Sequence, residues 1–236
     1  HQIEKERDVI LDEMNSYADS PSELIFDDFE NLLFPNHEIG HYILGTPGSL
    51  LTFDKGKVND FVNRQYFPAN MVLFSFGKTP FPRVVRLTER YFGFPDTRYL
   101  LSKKRERPLV ETAKKCQIKK DTAQTHVILG TRTFDMFQPD RYTLYLLNHI
   151  IAGGATNSRL NNSLREKNGL VYNVESNITL YTDTGLLSVY FACDKRQVER
   201  CLKLIDKELR RIMEVPLSAG QLATAKRQYK GQLGIA

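Results

Sequence analysis

The sequence predicts an α+β protein, with helices packed on a mostly antiparallel sheet. Three observations carry that prediction. Strand-like and helix-like segments come in alternating blocks of two. Two apolar runs, Val171 to Tyr181 and Gly185 to Cys193, match in length and are joined only by Thr182-Asp183-Thr184, which predicts an antiparallel hairpin. After them, Val198, Leu202, Ile205 and Leu209 recur at helical spacing within Lys195 to Met213, the mark of a long helix with one apolar stripe.

Along the chain, the first helix is expected over Ile3 to Tyr17. The sequence enters it without a start methionine or a cap, which reads as an N-terminus cut from something longer. A second helix starts where Ser20 can cap, Pro21 suits the first turn and Glu23 completes a capping box. Its stripe is Leu24, Ile25, Phe29, Leu32 and Leu33, and Pro35 ends it. After the Gly45-Thr46-Pro47-Gly48 loop come a helix near Val58 to Tyr66, a buried strand Met71 to Phe76 stopped by Gly77, and a helix near Arg83 to Phe92. The charged, poorly periodic stretch 95–114 reads as a linker between a first part, 1–94, and a second, 115–236. The second part reads as strands Cys116 to Lys119 and Thr125 to Thr131, then helices Asp140 to Ile151 and Ser158 to Lys167. The hairpin, the long helix and an unfinished helix after Pro216-Leu217-Ser218 follow.

Composition excludes several functions. No apolar run approaches a membrane span. The net charge of +5 is spread out except at Lys103-Lys104-Arg105-Glu106-Arg107. No aromatic stacking pattern accompanies that cluster, so it reads as a solvated linker and no nucleic-acid partner is expected. Three cysteines, Cys116, Cys193 and Cys201, fit neither a disulfide framework nor a zinc knuckle. They read as reduced thiols and favour a cytoplasm-like setting, although the sequence does not name a compartment.

The most informative residues lie in the first helix. At about 100° per residue, Ile3, Ile10, Met14 and Tyr17 share one narrow arc, and Glu6 and Glu13 fall inside it. Glu4, Asp8 and Asp12 lie on the opposite side. Carboxylates turned inward need protonation, a cation or a metal. Two readings stay open: edge residues that reach water or a distant Lys or Arg, and a metal or catalytic site. Seven residues separate the pair by about 10 Å, which suits one cleft better than joint ligation of one ion.

The segment Ile3-Glu4-Lys5-Glu6-Arg7-Asp8-Val9-Ile10-Leu11-Asp12-Glu13 resembles the helix that carries the third zinc ligand of M16 (insulinase/pitrilysin-type) peptidases. Pro21-Ser22-Glu23-Leu24, Phe34-Pro35-Asn36-His37, Ile43-Leu44-Gly45-Thr46 and Tyr66-Phe67-Pro68-Ala69-Asn70-Met71 continue the likeness. The resemblance implies a LuxS/MPP-like metallohydrolase fold, with the end of one M16-type domain followed by most of a second. It implies that Glu13 is a zinc ligand and Glu6 an accessory catalytic acid. Zinc is the implied cofactor, with its remaining ligands expected from an H-x-x-E-H segment that these residues lack.

His37-Glu38-Ile39-Gly40-His41 spells the ordinary zincin H-E-x-x-H. That chemistry needs a helix, and Pro35, Gly40, Gly45 and Pro47 argue for a polar surface loop instead.

The second candidate lies in the second half. Arg165 ends a helix, Gly169 suits a left-handed cap, and Tyr172 begins the next strand, so one turn can bring guanidinium and phenol to one side. A capping arginine and a tyrosine packed on the sheet would also satisfy this pattern. Ser158-Arg159-Leu160 through Leu164-Arg165-Glu166-Lys167-Asn168-Gly169-Leu170-Val171-Tyr172 resembles the S-R-L … L-R-E-x-x-G-L-x-Y segment of the second M16 domain. The resemblance implies that Arg165 and Tyr172 touch substrate backbone and serve the catalytic step. The resulting expectation is a fragment of a zinc metalloendopeptidase acting on peptides, inactive by itself. The alternative is a non-catalytic M16-like subunit that lends substrate contacts to a partner; a homodimer is also possible.

Overall fold

The computed structural model describes residues 2–93, 106–109, 114–154 and 157–235. The helices are α1 Gln2–Ala18, α2 Pro21–Leu33, α3 Pro47–Leu51, α4 Lys55–Gln65, α5 Phe81–Phe92, α6 Arg141–Ile151, α7 Val198–Glu214 and α8 Ala219–Ile235. The strands are β1 Thr125–Thr133, β2 Val171–Leu180 and β3 Gly185–Cys193. By contact the chain divides into two compact units, His1–Met14 with Leu44–Arg105 and Asn15–Ile43 with Glu106–Ala236. Contact therefore groups residues 15–43 with the second half, where a division by chain position places them with the first. Most of the expected linker 95–114 lies outside the described residues.

The second unit is built on a three-stranded antiparallel sheet of order β1-β3-β2. The expected hairpin is there, closed by Tyr181 N–H donating to Thr184 O at 2.8 Å. Central β3 faces two cores with alternate residues. Val189, Phe191 and Cys193 meet Leu160, Leu164, Val171 and Val174 together with Cys201 and Ile205 of α7. On the other face Leu186 packs with Phe29 of α2 and Phe34 just after it. Phe191, Leu160, Leu164 and Cys201 are wholly buried, each aliphatic or aromatic side chain contributing about 1.5–3 kcal/mol. Ser176, buried on β2, exchanges two hydrogen bonds with Asn148 of α6, so its burial leaves nothing unsatisfied.

Several local expectations are corrected. At Ser20 the backbone carbonyl accepts from Glu23 and Leu24 N–H, and the side chain caps nothing. The capping boxes are elsewhere: Thr46 with Ser49 opens the short α3, which the sequence reading missed, and Ser218 with Gln221 opens α8. Cys116 to Lys119 is exposed and forms no strand. Met71 to Phe76 forms none either, with Val72 96%, Phe74 85% and Phe76 93% exposed. A strand needs a neighbour to take its backbone groups, and among the described residues none pairs with this run.

Gly130 marks where α2 presses on the sheet. A Cβ there would lie 2.2 Å from Leu187 O and 2.8 Å from Phe29 Cζ. Gly130→Ala should therefore destabilise the protein by about 1–3 kcal/mol, seen as a lower urea midpoint at unchanged slope. An unchanged midpoint would show that α2 does not seat against β1 at this point.

Candidate functional site

The Arg165–Tyr172 segment is positioned by its apolar neighbours. Leu160 and Leu164 are each 0% exposed in the core. Between and beyond them the helix widens into a π-helix, Asn161–Glu166, where an α-helix was expected. Lys167 N–H accordingly reaches back five residues to Asn162 O at 3.0 Å. Gly169, at φ +60°, closes the turn in the left-handed region, with its N–H on Arg165 O at 2.8 Å, as its spacing predicts. Arg165 follows a core leucine and leaves the core, its side chain 48% exposed. Its Nε lies 3.7 Å from Glu166 Oε1, an exposed pair worth little.

Tyr172 leaves the core for a different reason. Val171 stands opposite Cys193 and Val174 opposite Phe191, so β2 spends three steps where β3 spends two. The extra residue is a β-bulge. Strict alternation would put residues 172 and 174 on one face, and Val174 is 1% exposed in the core. The bulge lets Val171 and Val174 both face inward and leaves Tyr172 85% exposed. Two hydrogen-bond donors, a guanidinium and a phenol, thus flank one turn with their surfaces in solvent. Such donors suit a peptide carbonyl, above all one gaining negative charge.

Glu6 and Glu13 share a face of α1 with Ile3, Ile10, Met14 and Tyr17, as the periodicity predicts. The expectation that they are turned into the body is not met. Met14 is buried, Ile3, Ile10 and Tyr17 are half-buried, and both glutamates are exposed. Described residues cover that face only in part, and the two long side chains reach water. Glu6 and Glu13 belong to the first unit, Arg165 and Tyr172 to the second. Among the described residues no three His, Cys, Asp or Glu side chains gather to hold a metal ion. Glu13 can offer one carboxylate, whereas a catalytic zinc takes three protein ligands, so the residues present do not make a zinc site by themselves.

His37-Glu38-Ile39-Gly40-His41 forms a single 3-10 turn, Glu38–Gly40, not the helix a zincin needs. Ile39 N–H donates to His37 Nδ1 at 3.2 Å, which makes Nε2–H the donor to Glu106 O at 2.9 Å. Both ring nitrogens are engaged, leaving no lone pair for a metal. The Cys193 thiol is pushed up to about 12 by burial first and by Cys201 beside it. It therefore stays protonated at neutral pH and is no nucleophile. An acid–tyrosine cluster on α2 escaped sequence reading: Tyr42 OH donates to Asp28 Oδ1 at 2.5 Å and is itself raised to about 12, chiefly by that bond. Burial, then Asp27, raises Glu30.

Comparison with known proteins places these features. Residues 52–229 match the family described as "Peptidase M16 inactive domain", a stretch that includes Arg165 and Tyr172 but not Glu13. A Bacillus subtilis protein named "Uncharacterized zinc protease YmxG" is 28% identical over 233 residues, covering 99% of this chain and 56% of that protein. A Mycobacterium tuberculosis protein, "Uncharacterized zinc protease Rv2782c", is 30% identical over 237 residues, covering 98% of this chain and 53% of that protein. The chain thus spans about half the length of the curated relatives it matches. Among solved structures, a peptidase M16 inactive domain from Pseudomonas fluorescens superposes with a TM-score of 0.86 at 22% identity, covering 98% of this chain and 56% of that one. A chain of complex III2 from Candida albicans gives a TM-score of 0.82 at 15% identity, with 98% and 56% covered. These likenesses show the fold, helices on antiparallel sheet, as the sequence predicted.

Deleting Asn173 removes the extra residue of the bulge. Val171 and Val174 then alternate regularly about Tyr172, which should stay on the outward face and keep its reactivity to tetranitromethane, read by peptide mapping. Loss of Tyr172 nitration in this variant would contradict this account of its exposure.

Proposed function

The chain belongs to the peptidase M16 family, and on that premise we propose that it is part of a zinc-dependent metalloendopeptidase cutting peptides between two homologous domains. Residues 1–94 then form the C-terminal part of a first M16-type domain, and 115–236 most of a second, joined by 95–114. One observation carries the reading. Two backbone irregularities, a π-helix and a β-bulge, flank one turn and leave Arg165 and Tyr172 facing solvent from a rigid, buried frame. Irregularities of both kinds cluster at functional sites. The relatives named zinc proteases support the same reading.

In this proposal Arg165 and Tyr172 bind the backbone of a peptide substrate and donate to its carbonyl oxygen as charge builds there. Glu13 supplies one zinc ligand and Glu6 stands beside it as an accessory acid. The remaining ligands come from an H-x-x-E-H segment outside these 236 residues. The exposure of Glu13 is compatible with this, because a carboxylate open to solvent is open to a metal brought by another segment.

A second reading has its own support: the family description is of an inactive domain, and a fold neighbour is a chain of an assembly named complex III2. Here the chain presents Arg165 and Tyr172 to a catalytic M16-like partner or a second copy of itself. Among the described residues no helix is long and apolar enough to cross a membrane.

The two readings separate in the protein that contains this chain, purified alone. The first expects bound zinc and peptide cleavage, the second neither. Under the first, Glu13→Gln should lower zinc content and activity together. Arg165→Ala should lower kcat by about 10²–10³ with zinc content intact. Unchanged metal content in Glu13→Gln would overturn its role as ligand.

A further inference from the structure

The turn between Arg165 and Tyr172 is tied down from outside by one amide. Asn168 Nδ2 donates to Ser163 O, within the π-helix, at 2.7 Å. Asn168 Oδ1 accepts from Arg200 Nη2 at 2.9 Å. The two partners fix the amide's orientation, since a flipped amide would set its NH2 against the guanidinium and its oxygen against the Ser163 carbonyl. Arg200 lies in the first turn of α7, and the next residue, Cys201, is 0% exposed in the core. The backbone that carries Arg200 is therefore fixed, and the bond to Asn168 is charge-assisted.

This link sits between the two solvent-facing donors, three residues after Arg165 and four before Tyr172. Leu160, Leu164 and the Gly169 closure already hold the turn from inside, so the fold does not depend on the link. What it restrains is the rotation and spread of a helix end widened by its i→i+5 bonds. We infer that Asn168 and Arg200 are positioning residues that hold the Arg165–Tyr172 turn in the geometry that meets substrate. The inference rests on reading Arg165 and Tyr172 as substrate contacts.

The test uses the full-length protein with zinc and a fluorogenic peptide. Asn168→Ala and Arg200→Ala should each lower kcat about tenfold, with KM, zinc content and melting midpoint nearly unchanged, as small misplacement of a catalytic contact does. Arg200→Lys should restore part of the rate. In an Arg165→Ala background the Arg200→Ala loss should vanish, because the contact it positions is gone. Parental kcat in Arg200→Ala, beside an impaired Arg165→Ala, overturns the positioning role and leaves the substrate-contact reading standing. Parental kcat in Arg165→Ala overturns that reading and this inference with it. An equal Arg200→Ala loss in both backgrounds, or a loss that tracks a lowered melting midpoint, shows a merely structural bond and also overturns the inference.

Discussion

Burial of β3 on both faces is the constraint from which the rest of the second unit follows. A strand covered on one side by α7 and the 160–164 turn, and on the other by α2, leaves its neighbours little choice of register. Val171 and Val174 must both reach the inner core, and with β3 fixed they can do so only if β2 gains a residue between them. Leu160 and Leu164 must both reach it too, which pins the widened helix end. Tyr172 and Arg165 are what those requirements push outward. The candidate contacts are thus by-products of core packing, which is why they are held firmly while being open to solvent.

How much of this was legible in the sequence depends on range. The hairpin, the α7 stripe and the left-handed Gly169 are written in local spacing, and all three stand. The bulge is not local. It exists because Val171 and Val174 face the same partners on another strand, and no single-strand pattern announces that. The π-helix likewise follows from where Leu160 and Leu164 must land. The apolar stripe of α2 was plain, but its partner, the outer face of the sheet about a hundred residues later, could not be read from periodicity; Gly130, which leaves room beneath Phe29, is one trace of it in the sequence.

The glutamates show the opposite error. Helical periodicity correctly put Glu6 and Glu13 beside Ile10 and Met14, but periodicity gives a direction, not a cover. Exposure of both acids means that the described residues supply no low-dielectric pocket to force a cation upon them. The same holds for Met71 to Phe76: apolar β-formers give a tendency, not a neighbour, and among the described residues none pairs with this run. The Arg165–Tyr172 turn, by contrast, has a defined geometry and lies within the residues matched to the family.

The most direct measurement is a structure of the full-length protein holding zinc and a bound peptide. The account predicts a peptide carbonyl within hydrogen-bond reach of Arg165 and Tyr172, about 2.7–3.1 Å, and a Glu13 oxygen about 2.0–2.2 Å from the metal. A peptide seated at the zinc while both side chains remain in open solvent would contradict it.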